Sequence, residues 1–389
     1  MAEPKTWIEQ LSLTSFRNYT HAKLEAEASP VVLVGHNGAG KTNILEAVSL
    51  ISPGRGLRRA AFADMSRVAS SAPAPAPPGW AISARLHAGD DPVIIGTGLA
   101  PAASGASRLV RIDGEPQRSA AVLADYVEMT WLTPALDGVF TGGTSDRRRF
   151  LDRLVLCFDA EHGTRANRFE RAMRQRNKLL DAGARSPAEF GGLEEQLAET
   201  GVAISAARVA LVQQLSATIL RRRDEFGPSA FPWAEIALTG SLEEALVGTP
   251  ASDVEDDYRE RLARARPRDQ AARRTLEGPH RADLQVQHGP KAMPAKLCST
   301  GEQKALLVGL VLAHADLLAR RASGGAPILL LDEIAAHLDA DRRAALFDEI
   351  LSLGSQAWMT GTDHAQFSAL QGRATFFEVT DGAVARIED

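Results

Sequence analysis

Residues Gly35-His36-Asn37-Gly38-Ala39-Gly40-Lys41-Thr42 match the pattern G-x-x-x-x-G-K-[S/T]. Glycines at those positions let backbone N–H groups turn inward and cradle phosphates. Lys41 then reaches the β- and γ-phosphates, and the Thr42 hydroxyl serves as a ligand for Mg²⁺. A chain of this composition yields such a match by chance only about 0.005 times. A helix opening at Thr42 adds its positive dipole end to the same anion site. A second constellation lies far down the chain. Ile328-Leu329-Leu330-Leu331-Asp332-Glu333 reads as a buried strand ending in two acids. Asp332 suits the metal, and Glu333 suits a general base that polarises an attacking water. A third group, Ser299-Thr300-Gly301-Glu302-Gln303, opens the helix that leads into the Asp332 strand, and Ser and Gly there make a second anion site. One chain cannot easily bring both anion sites onto one phosphate. Two chains facing head to tail can, with the second site capping the γ-phosphate held by the other chain's loop.

These groups need elements to hold them. Trp7–Leu13 and Ala22–Ala26 alternate apolar and polar, as half-buried strands do, and Val31–Val34 is apolar throughout, as a buried parallel strand is. A helix is expected from Thr42 to about Leu50, stopped by Ser52–Gly56. Residues 70–79, with four prolines, predict a loop or hairpin tip. Strands follow at Trp80–His87, Pro92–Gly96, Leu109–Ile112 (with Asp113-Gly114 as a hairpin signal) and Met129–Leu132. The period then changes. Asp146–Ala182 and Leu193–Phe226 predict long helices, followed by a strand at Glu235–Thr239 and a helix near Val254–Ala265. Asp283–Gln287, Ile328–Leu331 and Trp358–Thr360 predict strands, and Glu302–Arg321 and Asp341–Leu351 predict helices. The outer thirds are α/β and the middle is helical, which fits one sheet interrupted by an insertion.

The chain has 389 residues, enough for two to three domains, with 44% hydrophobic and 24% charged residues, which excludes a wholly disordered protein. The net charge of −5 does not advertise nucleic acid, and 37 of the 44 basic residues are Arg. Locally the balance differs. Asp146–Arg185 holds 11 basic and 6 acidic residues, and Tyr258–Arg281 holds 8 and 3. Each stretch fits either local contact with a phosphate backbone or a solvated face with internal ion pairs. Two distant cysteines, Cys157 and Cys298, argue against a disulfide framework or structural zinc and suit a reducing cytosol. The first ten residues carry no secretory pattern, and the most apolar run, Ala305–Ala313, is short of the roughly 20 residues a bilayer span needs.

Ser299–Gln303 resembles the signature motif of ABC-type ATPases. The wider set is more specific: Phe16-Arg17-Asn18-Tyr19, Gly35–Val48, Ser52–Ala60, Arg147–Asp152 (RRRFLD), Gly278–Leu284 (GPHRADL), Ser299–Leu307 and Leu329–Asp339 occur in this order. Together they resemble the RecF family of bacterial recombination mediators and DNA-repair ATPases, from about Phe16 to Asp363. The resemblance implies an α/β fold: an ABC-type ATPase head, a phosphate-loop sheet plus an antiparallel β subdomain, with an inserted helical arm. The head is expected at 1–145 and 276–389 and the arm at 146–275. It implies ATP and Mg as ligands, with metal contacts from Thr42 and Asp332, catalysis by Glu333 and Asp332, and Asp339 in the D-loop. Arg17 and Tyr19 are expected near the nucleotide, the alternative being a turn that packs Phe16 into the core. Arg55, Arg58 and Arg59 are candidate DNA contacts. Arg147–Arg149 stand open between DNA contact and a structural tie from arm to head.

The resemblance further implies a weak, DNA-dependent ATPase that dimerises with ATP on double-stranded, gapped or single-stranded-end DNA without sequence specificity. It implies cooperation with RecR, RecO and RecA in replication-gap repair and SOS induction, and a cytoplasmic, nucleoid-associated location with no membrane partner. Two departures stand out. Ala282 replaces the first Asp of the usual GPHRDDL, and Thr362 stands where transporters carry a switch histidine, which suggests slow hydrolysis and leaves His364 without an assigned role. The alternative reading is the ATP-binding subunit of a membrane transporter. A chromosome-bridging coiled coil is too long for this insert, since Leu193–Phe226 spans only about 50 Å.

Overall fold

The computed structural model describes residues 6–67, 79–89, 91–100, 108–184, 186–226, 230–321 and 325–387, so the Pro-rich stretch expected as a loop lies outside the described residues except for Gly79. The chain forms two compact units, residues 1–135 with 307–389 and residues 136–306.

The first unit opens with β1 (Thr6–Phe16) and β2 (Tyr19–Glu25), joined by a two-residue turn, then β3 (Val31–Val34) and α1 (Lys41–Ser49). Next come β4 (Trp80–Ala88), β5 (Pro92–Leu99), β6 (Leu109–Ile112), β7 (Glu115–Pro116) and β8 (Met129–Leu132). The strands in the order β2-β1-β4-β5-β6-β7 make a six-stranded antiparallel sheet. Its inner face follows from alternation, with Ile8, Leu11, Leu13, Ile82, Ala84 and Leu86 buried. The Asp113-Gly114 turn joins β6 to β7 with both residues at positive φ, 49° and 86°, as the sequence predicts.

The second unit holds α2 (Thr144–Leu156), α3 (His162–Asp181), α4 (Pro187–Phe226), β9 (Ala234–Thr239), α5 (Ser241–Ala245), α6 (Ala251–Ala272), β10 (Asp283–His288) and β11 (Met293–Pro294). The expected single helix over 146–182 is two helices. The break lies where the Asp159 carboxylate accepts from the Glu161 amide at 3.1 Å, a local bond that competes with the helical ladder. After it, the His162 ring meets the Asp152 carboxylate at 2.8 Å. α4 starts six residues before the expected Leu193, with Pro187 at its first turn. By length and composition Ala188–Glu225 could cross a membrane, but half of its most apolar window is buried inside the protein. Buried Glu194 and Arg208 on the same helix are ion-paired within the unit, as suits a core helix. Leu197, Val202 and Ile204 on α4 pack with Phe169 and Ala172 on α3 and with Val254, Tyr258 and Leu262 on α6.

The boundary between the units falls inside α7 (Thr300–Ala319). The chain then completes the first unit with β12 (Ile328–Leu331), α8 (Ala340–Leu353), β13 (Ala357–Gly361), β14 (Thr375–Thr380) and β15 (Ala383–Ile387). The second six-stranded sheet has the order β15-β14-β3-β13-β12-β8, parallel except for β15. β3 and β12 are flanked on both sides and wholly buried, which is why their sequences, VVLV and ILLL, do not alternate. β14 and β15, a hairpin turned by Asp381-Gly382, were not expected from the sequence. The buried Gln356 amide ties the two sheets: it accepts from the Ile8 amide at 2.8 Å and donates to the Ile8 and Glu27 carbonyls at 3.1 and 3.0 Å. Leu11, Leu45, Val48, Ile82, Leu330, Trp358 and Val379 belong to one core that both sheets share.

Candidate nucleotide site

The phosphate loop leaves the end of β3 and enters α1. Gly35, Gly38 and Gly40 have φ of 152°, 86° and 119°. At Gly40 the conformation and the space both require glycine, since an added Cβ would lie 2.5 Å from the Asn18 amide nitrogen and 2.6 Å from the Tyr19 hydroxyl. An added Cβ at Gly35 would lie 2.2 Å from the Val379 carbonyl of β14. The loop is thus seated on the β1–β2 turn and on β14. His36, Asn37 and Gly38 stay open, while Ala39 is buried and its carbonyl accepts from Asn18 at 3.0 Å. Lys41 folds over the loop and donates to the Gly35 and His36 carbonyls at 2.6 and 2.8 Å. Burial holds its ammonium below the usual lysine range, against the opposing pull of Glu333 and Asp332. A bound polyanion is the natural remedy for a cation in that state.

Asp332 follows β12 and is buried. Its Oδ1 accepts from the Thr42 hydroxyl at 2.9 Å and from the Thr360 hydroxyl at 2.8 Å. The Thr360 oxygen in turn accepts from the Glu333 amide at 2.8 Å. The fold therefore brings Lys41, Thr42, Asp332 and Glu333 into one place from opposite ends of the chain. A hydroxyl and a carboxylate at this separation are the hard oxygen donors that Mg²⁺ takes, usually with substrate phosphates and waters completing its shell. Thr42 and Asp332 would be the two protein oxygens of that shell.

Around the loop, the turn residues divide their work. Phe16 and Tyr19 are wholly buried. Arg17 turns away to the buried Glu46 of α1, bonded through two nitrogens at 2.8 Å each, and to the Asp64 carbonyl. Asn18 bonds the loop beside the Tyr19 hydroxyl, and it also accepts from Asn43 at 2.7 Å. Arg58 reaches Asn43 at 2.7 Å and Glu46 at 3.2 Å, so it too is fastened to the phosphate-loop helix. Arg55 stacks over Phe62 at 5.8 Å, and Arg59, at φ 54°, is exposed. Arg108 holds the segment that carries these arginines. It donates to the Leu50, Ser52 and Gly54 carbonyls just past α1, and burial pulls its guanidinium down to about 10. A cation there also suits the negative end of α1.

In the second unit, Ser299 precedes α7 and makes a reciprocal cap with Glu302. Its amide and hydroxyl both donate to the Glu302 carboxylate at 2.9 Å, and its oxygen lies 3.4 Å from the Glu302 amide. Lys291 pairs with the same carboxylate and, together with Ser299, holds it down at about 2. Thr300 and Gly301 are exposed, and buried Gln303 donates to the Cys298 carbonyl at 2.9 Å. Within that unit Arg147 grips Asp283 at 2.7 and 2.9 Å, and Arg148 donates to the Ala282 carbonyl at 2.7 Å. These two arginines tie α2 to β10 inside that unit, while Arg149 stays on the surface with Ser145 and Asp146. Many arginines of the two basic stretches are ion-paired inside the unit, among them Arg176, Arg261, Arg264, Arg266 and Arg268, while Arg171, Arg174 and Lys178 stay exposed on α3.

Beyond Asp332 in the first unit, Asp339 caps α8 by accepting from the Arg342 amide at 2.8 Å. Thr362 is exposed, and His364 packs on Phe376 with ring centroids 4.4 Å apart. Sequence reasoning missed Asn18, Glu46 and Thr360. Thr360 had a visible signal, a hydroxyl in the otherwise apolar strand core Trp358-Met359-Thr360-Gly361.

Known proteins resemble this chain over nearly its whole length. Residues 7–384 match the RecF/RecN/SMC N-terminal domain. The chain is 54% identical over 385 residues to the DNA replication and repair protein RecF of Mesorhizobium japonicum, covering 99% of each chain. It is 54% identical to the RecF of Rhizobium etli, covering 98% of this chain and 99% of the relative. Among solved structures, the recombination mediator protein RecF-ATPrS in the RecFOR pathway superposes with a TM-score of 0.83 at 20% identity over the full length of both chains. A Pyrococcus furiosus Smc head domain superposes with a TM-score of 0.53 at 15% identity, covering 98% and 96% of the two chains. At those identities the superpositions show a shared fold, the ABC-type ATPase head that RecF and Smc heads have in common. Family and fold together leave the transporter-subunit reading without support. With its phosphate loop, its paired acids and this near-complete alignment, the chain belongs to the RecF family.

Proposed function

We propose that this chain is an ATP-binding DNA-repair protein in which ATP joins two copies on DNA and hydrolysis releases them. The observation that carries the reading is the meeting of Thr42 and Asp332 at 2.9 Å beside Lys41 in a glycine-built phosphate loop. In this reading the loop amides and Lys41 hold the β- and γ-phosphates. Thr42 and Asp332 hold Mg²⁺, which when bound neutralises charge on the phosphate oxygens. Glu333 takes the proton of the attacking water. Ser299–Gln303 of a second copy contacts the γ-phosphate, so ATP and not ADP completes the interface. Two such composite sites follow from one two-fold axis. Asp339, as the cap of α8, shapes the segment after the acids.

Arg55, Arg58 and Arg59 contact the DNA backbone without reading sequence. Arg58 and Glu46 give that contact a path to α1. The family's place in the RecFOR pathway makes RecR, RecO and RecA the expected partners, in the cytoplasm at replication gaps. Thr362, in place of a switch histidine, fits slow hydrolysis. The test is gapped-DNA binding with ATP, with ADP and without nucleotide, alongside sedimentation. ATP-dependent DNA binding by a dimer is expected. A protein that stays monomeric with saturating ATP and DNA overturns the reading.

A further inference from the structure

The Thr360 side chain lies at the centre of the paired acids and is wholly buried in β13, between β3 and β12. Its hydroxyl uses both of its abilities on them. It donates to Asp332 Oδ1 at 2.8 Å and accepts from the Glu333 amide at 2.8 Å. Glu333 needs the second bond. It has φ 52° and ψ 29°, the left-handed region that a non-glycine residue enters only when its surroundings hold it there. That conformation immediately follows β12 and sets where the Glu333 side chain leaves the backbone. The first bond matters for a different reason. Thr42 also donates to Asp332 Oδ1, but in the proposed function its oxygen serves the metal. Thr360 is then the hydroxyl donor to that carboxylate that the metal does not also claim.

We propose that Thr360 is a positioning residue for ATP hydrolysis: one buried hydroxyl sets the metal-binding carboxylate of Asp332 and the backbone of the general base Glu333 in a single arrangement. The inference rests on the nucleotide reading above. A strand interior accepts valine, which keeps the shape of threonine and removes only the hydroxyl. Thr360→Val should lower single-turnover hydrolysis by about 30- to 100-fold, no more than the roughly 10²- to 10⁴-fold that a general base contributes, because the base is displaced and not removed. Its affinity for ATP should change by less than about threefold, because the loop and Lys41 are untouched. Thr360→Ser, which restores the hydroxyl, should recover hydrolysis to within about threefold of wild type.

A readout independent of turnover is hydrogen exchange of the Glu333 amide, which should quicken in Thr360→Val and not in Thr360→Ser. Failure of wild type to bind or hydrolyse ATP would sink the nucleotide reading itself. Wild-type activity with Thr360→Val hydrolysing and exchanging normally overturns this inference alone. Should Thr360→Val not fold, Thr360→Ala takes its place. If both fail to fold while Thr360→Ser is normal, the hydroxyl serves stability rather than positioning, and the proposal falls.

Discussion

Two helix starts in this protein present backbone N–H groups to an anion, and they treat them in opposite ways. α1 begins at Gly40 with no side-chain cap and no acid in its first turn. Its amides are left for a ligand, and glycine supplies the backbone conformation that aims them. α7 begins at Ser299 with a complete internal cap, because the Glu302 carboxylate sits on Ser299 and is neutralised by Lys291. The same dipole is thus open at one end of the chain and occupied by its own carboxylate at the other. The first helix start fits a site ready in a single copy. The second fits one that gains an outside phosphate only when Glu302 yields its place, which suits a contact formed late, by a second copy.

Substitutions can break this contrast at either end. The largest effect is expected at the open start. Lys41→Ala removes the buried cation and should weaken ATP binding by at least about 100-fold, roughly 3 kcal/mol, as the loss of one member of a buried charged pair does. Equilibrium titration with a fluorescent ATP analogue checks it, and unchanged affinity in a folded variant ends the phosphate-loop assignment. Ser299→Arg should abolish the ATP-dependent dimer in sedimentation while monomer ATP affinity stays within about threefold, since only the other copy's half of the site is removed. A Ser299→Arg protein that still dimerises with ATP contradicts the composite site.

A gentler change sharpens the contrast. Glu302→Gln keeps the shape of the cap but removes the charge that an incoming phosphate must meet, so ATP-dependent dimerisation should tighten by about 3- to 10-fold. Weaker dimerisation would mean that the carboxylate helps the contact. The pH response has a defined sign. The Glu302 carboxyl is held at about 2 instead of 4.5, so the cap's contribution is complete above pH 4.5 and is lost as pH falls towards 2. Melting curves of wild type and Glu302→Gln should therefore differ by a constant amount above pH 5 and converge in acid. The smallest effect is expected outside both helix starts. Arg55→Glu with Arg59→Glu should reduce the slope of log DNA affinity against log salt by about 1 for each phosphate no longer neutralised, with ATP affinity unchanged. An unaltered slope would remove those arginines from the DNA surface.

The sequence by itself determined the elements whose signals are local. VVLV and ILLL read as buried strands because each is a short, wholly apolar run bounded by Gly or acidic residues. Gly40 was required by the backbone whatever packed below, and Asp113-Gly114 turned its hairpin from two residues' preferences alone. The phosphate loop, the acid pair and the Ser299–Gln303 group were legible for the same reason, since each is a short run whose spacing is its chemistry. Other assignments needed tertiary structure. Nothing near Arg17 announces that its guanidinium meets Glu46; a charge finds its partner across 29 positions only when the turn and α1 pack together. Asp146–Ala182 looked helical, but whether Arg176 faced solvent or the buried Glu194 and Asp269 depended on three helices closing around it. Thr360 stood in plain view as one hydroxyl in an apolar strand, yet its role is set by the ends of β12 and α1 arriving beside it. Local pattern encodes what a residue's own backbone must do. Pairing of charges and hydroxyls is decided by which desolvated groups the fold leaves facing each other, because each must then be satisfied by whatever neighbour is in reach.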